Sequence, residues 1–206
     1  MKIVLLGQIA SGKGTLSQAL QEKYGFIPVS IGLLLRKECE KDTEESRLIQ
    51  SCLEKGNLVS DDLALKVLKN YLNEIGDKNI IFDGYPRNKA QAESLDKIAD
   101  IDHVLFLNIT DEIVKERFLG RRECEKCGYV SNVNYPDYNG YCPRCGGKLA
   151  KRNDLNEEAM KNKMASFEKD TKPLISYYDE KGLLREIDAS KGKDLALKDA
   201  EQILQM

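Results

Sequence analysis

Five short apolar runs punctuate the chain: Ile3–Leu6, Phe26–Val29, Ile80–Phe82, Val104–Ile109 and Leu183–Ile187. Each has the length of a buried strand. Most are separated by stretches whose apolar positions recur at helical spacing, the alternation that builds an α/β fold around a parallel sheet. Helices are predicted over 13–24, 32–41, 44–55, 61–74, 88–97, 111–120, 157–181 and 193–205. Ser60 and Thr110 stand before the acidic pairs Asp61-Asp62 and Asp111-Glu112 as N-caps, and Gly56 fits a C-terminal stop.

Two stretches break the alternation. Between the second and third strands lie about fifty residues with three helices, more than one crossover needs, and they read as an extension over the sheet's edge. Between Arg121 and Asp154 the helical pattern gives way to Cys, Gly, Tyr and Pro, which reads as a small inserted domain.

Composition narrows the function classes. The 206 residues suit one domain with insertions, and 32 Lys and Arg against 34 Asp and Glu give a net charge of −2. That balance speaks against a nucleic-acid or membrane-surface partner. No run has the ~18–20 apolar residues of a membrane span, and the opening run is too short for a signal peptide. A cytoplasmic protein is expected, its six Cys held as thiols or metal ligands rather than disulfides. His103 is the single histidine, so a His pair or His-based triad is excluded.

The first strand runs into Gly7-Gln8-Ile9-Ala10-Ser11-Gly12-Lys13-Gly14-Thr15 and then a helix, the strand–loop–helix setting of a P-loop. Loop N–H groups and the helix dipole are suited to phosphate oxygens, and Lys13 adds a mobile positive charge toward the β and γ phosphates. Gly7, Gly12, Lys13, Gly14 and Thr15 are therefore expected to bind the phosphates of a nucleoside triphosphate, which the resemblance given below implies is ATP. Asp83, at the carboxyl end of the third strand, is expected with Thr15 in the shell of Mg²⁺ brought with ATP. Cys124-x2-Cys127 and Cys142-x2-Cys145, with fourteen residues between the pairs and each pair followed by Gly, match a closed tetrahedral Zn²⁺ site of structural type. Residues 121–152 carry seven basic groups against three acids, as suits a flap that closes over triphosphate and excludes water.

Gly-Lys-Gly-Thr, Asp83-Gly84-Tyr85-Pro86-Arg87 with Gln91 four residues on, and Leu119-Gly120-Arg121-Arg122 together resemble the nucleoside monophosphate kinases, adenylate kinases in particular. The resemblance runs almost end to end. It implies a five-stranded parallel P-loop core (1–29, 61–120 and 156–206), monophosphate-binding helices (30–60) and a four-cysteine zinc lid (121–155). It implies that Arg36 and Arg87 hold the acceptor phosphate and that Gln91 faces its adenine. Ile31, Asn57, Val59 and Gly84 fall on the acceptor site. Arg117 and Arg121, four apart on one predicted helix face, reach the donor phosphates, and Arg152 swings in with the lid. Lys163 stands where the family has a further catalytic Arg. The implied reaction is Mg-dependent transfer between ATP and AMP by a monomer binding only small nucleotides.

The chain also departs from that pattern. Ile9-Ala10 replaces Pro-Gly, placing a β-carbon where a positive φ is preferred, at about 1 kcal/mol. Ile31 and Leu33 replace a Thr and an Asp, Ser60 a Pro, and Leu155 the second Asp of Arg-x-Asp-Asp, leaving Asp154 alone. These changes keep open a same-fold kinase acting on UMP or CMP. A zinc-ribbon nucleotide switch that binds nucleic acid is the reading from another class. The chain's acidity and the few aromatics among the lid's basic residues stand against it.

Overall fold

The computed structural model describes residues 1–54, 59–151 and 156–206. Gly56, Asn57, Arg152, Asp154 and Leu155, singled out from the sequence, lie outside the described residues. In chain order the first half runs β1 (Lys2–Gly7), α1 (Lys13–Tyr24), β2 (Ile27–Ser30), α2 (Ile31–Glu38), α3 (Glu44–Glu54), α4 (Asp61–Ile75), β3 (Ile80–Asp83) and α5 (Lys89–Leu95). It continues with β4 (His103–Asn108), α6 (Asp111–Gly120), β5 (Arg121–Cys124), β6 (Val130–Asn132) and β7 (Leu149–Ala150). The remainder is α7 (Glu157–Ser166), a π-helical segment (Phe167–Thr171), α8 (Pro173–Glu180), β8 (Leu184–Asp188) and α9 (Lys193–Leu204).

The five expected strands form one parallel sheet in the order β2-β3-β1-β4-β8. Their side chains alternate between two apolar faces, as the period of two requires. Val4, Leu6, Phe82 and Phe106 face one core, closed by Leu68 of α4, Leu95 of α5 and Leu174 and Tyr178 of α8. Ile3, Leu5, Ile81 and Leu107 face the other, closed by Leu16 and Leu20 of α1, Val114 of α6 and Ala200 and Leu204 of α9. Helices on both faces leave the carboxyl ends of β1, β3 and β4 opening together at one rim, where ligands of such sheets bind.

Helix ends follow the local chemistry. The Ser60 hydroxyl accepts the Leu63 N–H at 3.4 Å, and Asn88 and Asn156 cap α5 and α7 the same way. Thr110 occupies the N-cap of α6, but its hydroxyl makes no cap bond and donates instead to the Glu112 carboxylate, lowering that group's pKa. α2 closes at Glu38, short of Lys41.

The expected helix over 157–181 is three pieces. α7 widens into the π-helical turn 167–171, and α8 starts at Pro173, whose missing N–H is harmless in a first turn. Widening brings Phe167 into the first core, where it is 8% exposed. Cys39 and Cys52 are half-buried thiols, and Cys39 packs against the first core. The stretch without helical pattern holds the antiparallel sheet β6-β5-β7, which packs on Leu149 and the cysteines rather than on the main sheet.

Candidate active site

The loop between β1 and α1 is shaped by close contacts and unusual backbone angles. Gly7, at φ +148°, has no room for a side chain: a β-carbon there would lie 2.7 Å from both the Leu107 carbonyl of β4 and the Ser11 hydroxyl. Gly12, at φ +100°, turns the chain into α1 and leaves the first N–H groups of that helix facing the loop. Ala10 carries the β-carbon expected from the sequence and adopts φ +59°, a left-handed conformation costing about 1 kcal/mol or more for a residue other than Gly.

Lys13 folds back into this loop. Its ammonium donates to the Gly7 and Gln8 carbonyls at 2.7 and 2.8 Å and to the Ser11 hydroxyl at 3.5 Å. Burial is the chief reason its pKa falls to about 8; Asp83 pulls it up, while the guanidiniums of Arg87 and Arg121 push it further down. One ammonium therefore feels charges delivered by β3, by the turn after β3 and by the lid's first strand.

A cavity of about 570 Å³ opens above the loop. It brings together Gly12, Lys13, Gly14, Thr15 and Asp83 with Arg117, Arg121 and Lys163. A β-carbon on Gly14 would sit 3.9 Å from the Asp83 carboxylate, so α1 starts against the end of β3. Arg117 is steered by the Ala189 and Ser190 carbonyls, at 3.0 and 3.3 Å. Arg121 is not on the helix face expected for it: α6 stops at Gly120 and Arg121 is extended, the first residue of β5. It reaches the cavity from the lid instead. The Lys163 ammonium lies over the Phe118 ring, 5.4 Å from its centroid.

Of the residues expected at the acceptor, Lys163 lines this cavity, while Ile31, Arg36, Val59, Gly84, Arg87 and Gln91 do not. The Arg87 guanidinium donates to the Gly84 carbonyl at 2.9 Å, where Gly84 takes φ +75°. The Gln91 side chain accepts the Arg87 backbone N–H at 2.8 Å. Arg36 stands over Gly32 on α2. Ile31 is turned inward, 8% exposed, whereas Leu33 is 61% exposed and Val59 is half-buried.

The lid's four cysteines fit a tetrahedral metal. Cys124, Cys127, Cys142 and Cys145 bring their sulfurs within 4.8 Å of one another, with separations of 3.3–3.6 Å for three of the pairs. A zinc tetrahedron with bonds of about 2.3 Å has edges of about 3.8 Å. Amides of Lys126 and Cys127 point at the Cys124 sulfur, and the Tyr129 amide at that of Cys127. Gly128 and Gly146 take matching left-handed turns, and a β-carbon on Gly147 would lie 2.9 Å from the Cys124 sulfur. All four cysteines are free of disulfides.

Other cavity residues were not singled out by the sequence. Asn132 of β6 is buried, and its amide donates to the Arg117 carbonyl at 2.9 Å, tying the lid to the helix that carries Arg117. It fits because Gly120 lacks a β-carbon, which would come 2.3 Å from the Asn132 oxygen. Lys193 and Asp194, at the start of α9, close the far wall. Only the glycine before that helix hinted at them. The knuckle of the lid also reaches the core, where Arg144 pairs with Glu22 of α1 at 3.0 Å.

A phosphate loop at the rim of a parallel sheet, an acid on the neighbouring strand, an arginine from α6 and another from a separate lid define a P-loop phosphotransferase. The adenylate kinase family profile matches residues 5–183. Adenylate kinase of Methanosarcina mazei is 38% identical over 99% of this chain and 98% of its own length, and that of Archaeoglobus fulgidus 35% identical over 100% and 98%. Adenylate kinase of Caldicellulosiruptor bescii is 38% identical over 89% of each chain. The chain belongs to the adenylate kinase family.

Proposed function

We propose that this enzyme transfers the terminal phosphoryl group of Mg·ATP to AMP, reversibly, giving two ADP. What supports this reading is that two sets of cations bear on one ammonium. Arg87, from the acceptor motif, and Arg121, from the lid, both act on Lys13 in its loop. A donor triphosphate on the loop and an acceptor phosphate at Arg87 then meet with their reacting ends together.

Each residue's part follows from charge and reach. The Gly7–Thr15 amides and Lys13 hold the β and γ phosphates. Arg117 and Arg121 spread over the donor oxygens as charge shifts, while Arg36 and Arg87 fix the attacking phosphate in line. The acceptor oxygen is ionised at neutral pH, so the chain needs no general base. Thr15 and Asp83 would hold the Mg²⁺ carried by ATP, which would supply charge neutralisation to the triphosphate. The segment 121–155, with its zinc among the four cysteines, closes over the donor and keeps water from taking the phosphoryl group. Residues 30–60 close over the acceptor, and Arg152, Asn57 and Lys163 complete the set. The protein acts as a cytoplasmic monomer on small nucleotides.

A coupled assay with a panel of monophosphates tests the reading, with metal content measured on the same sample. ADP formation from AMP, abolished by Lys13→Ala or Arg87→Ala, is the expected result. Undiminished turnover in either variant, or preference for UMP or CMP, overturns it.

A further inference from the structure

The side-chain amide of Gln91 is held from two sides. Its nitrogen donates to one carboxylate oxygen of Asp61 at 2.7 Å, and its oxygen accepts the Arg87 backbone N–H at 2.8 Å. The Gln91 backbone N–H is fixed by the Asn88 side chain at 2.9 Å. Asn88 in turn reaches the other Asp61 oxygen at 3.5 Å. Asp61 is the first residue of α4, directly after the segment proposed to cover the acceptor, so it joins that segment's end to the start of α5.

The polarity of these contacts is not interchangeable. An ionised carboxylate only accepts and a backbone N–H only donates. A flipped Gln91 amide would set its oxygen against the Asp61 carboxylate and its NH₂ against the Arg87 N–H, losing both bonds and adding two repulsions. Each bond consumes one proton or one lone pair, so the amide keeps one N–H and one lone pair for a ligand. Such an amide matches an adenine edge, where an amino donor sits beside a ring-nitrogen acceptor. Hypoxanthine and guanine put a carbonyl acceptor where adenine has its amino group. The opposite amide orientation would suit them.

We infer that Asp61 is a specificity-determining positioning residue: through its bond to the Gln91 amide it fixes the orientation that reads a 6-aminopurine and rejects 6-oxopurines. The inference rests on the proposed placement of the acceptor base beside Gln91. Asp61 touches no substrate. It acts by removing the second orientation of a group that does.

Asp61→Asn tests this with little change of shape, because an amide at 61 donates or accepts and so removes one of the two constraints on Gln91, leaving the Arg87 N–H as the other. The measurement is the ratio of kcat/KM for AMP to that for IMP, with Mg·ATP as donor and the melting temperature as a check on folding. The ratio is expected to fall about tenfold, since a bidentate amide–base pair supplies at least about that much discrimination. A merely structural role would lower both substrates together and leave the ratio alone. A ratio within about twofold of wild type overturns the inference, as does a wild-type enzyme that uses IMP as well as AMP. Asp61→Ser, which keeps a helix-starting residue, carries the same expectation should Asp61→Asn not accumulate. Failure of the underlying reading looks different: wild type then makes no ADP from AMP at all.

Discussion

Lys13 offers the sharpest test of the donor site, because burial in the ligand-free loop lowers its pKa and a bound triphosphate would raise it again. With no nucleotide bound, burial holds its pKa at about 8 against an ordinary 10.5. A triphosphate on the loop places negative oxygens at the ammonium and restores the charged form. Binding above pH 8 must therefore take up a proton. About 76% of a group with that pKa is charged at pH 7.5 and about 3% at pH 9.5, so the association constant for ATP should fall about 25-fold across that interval. The triphosphate's own last ionisation is complete below this range and does not interfere. Titration calorimetry at pH 8.5 in two buffers of different ionisation enthalpy should report uptake of about three-quarters of a proton. Lys13→Met binds more weakly at every pH and loses the slope. Stability moves the other way. The unfolded lysine keeps its proton up to about pH 10.5 while the native one releases it from about 8, so the ligand-free protein should gain stability as pH rises through that window. An ATP affinity that stays flat to pH 9.5, with no buffer-dependent heat, would refute the argument that Lys13 lies buried and poised for phosphate.

Three further outcomes can be checked. Ala10→Gly relieves a left-handed alanine worth about 1–2 kcal/mol and adds about 0.4–1 kcal/mol of unfolded-chain freedom, so urea unfolding should show a net gain of about 0.5–1 kcal/mol; a loss would contradict it. Gly120→Ala drives a β-carbon to 2.3 Å from the buried Asn132 oxygen, and after allowing for alanine's better helix propensity it should cost about 1–3 kcal/mol in the same assay. Stripping metal from the four-cysteine site with a strong chelator should lower the melting temperature while leaving turnover at low temperature, and unchanged melting of demonstrably metal-free protein would remove zinc from the account.

What was legible in the chain was what local pattern determines. The central strands β1, β3 and β4 are apolar on both faces and so stand out as nearly uninterrupted runs, whereas the edge strand β8 carries exposed Arg185 and Glu186; the Gly-bounded loop and the paired cysteines have fixed spacings. The lid strands did not stand out. Arg121-Arg122-Glu123-Cys124 has no apolar alternation, because cysteine sulfurs rather than a hydrophobic face determine where that strand lies. The π-helical turn at 167–171 has no Gly or Pro within it, and the pattern of 157–181 reads through it. Pro173, two residues beyond, was the one available sign of a break. Arg121 was placed on a helix face by spacing alone, and Gly120 next to it was the sign that the helix ends. Asn132 and Asp61 act through partners 15 and 30 residues away, distances at which sequence periodicity is silent.

The cysteine-held sheet has a bearing on how this enzyme can vary. Because Cys124, Cys142 and Leu149 are nearly the whole interior of that part of the fold, its shape depends on few positions. An exposed residue such as Tyr141 is thereby released from the packing constraints that bind every helix of the main body. Substitution can accumulate on the outer surface of the flap, altering its charge or its grip on nucleotide, without a matching repair elsewhere in the molecule.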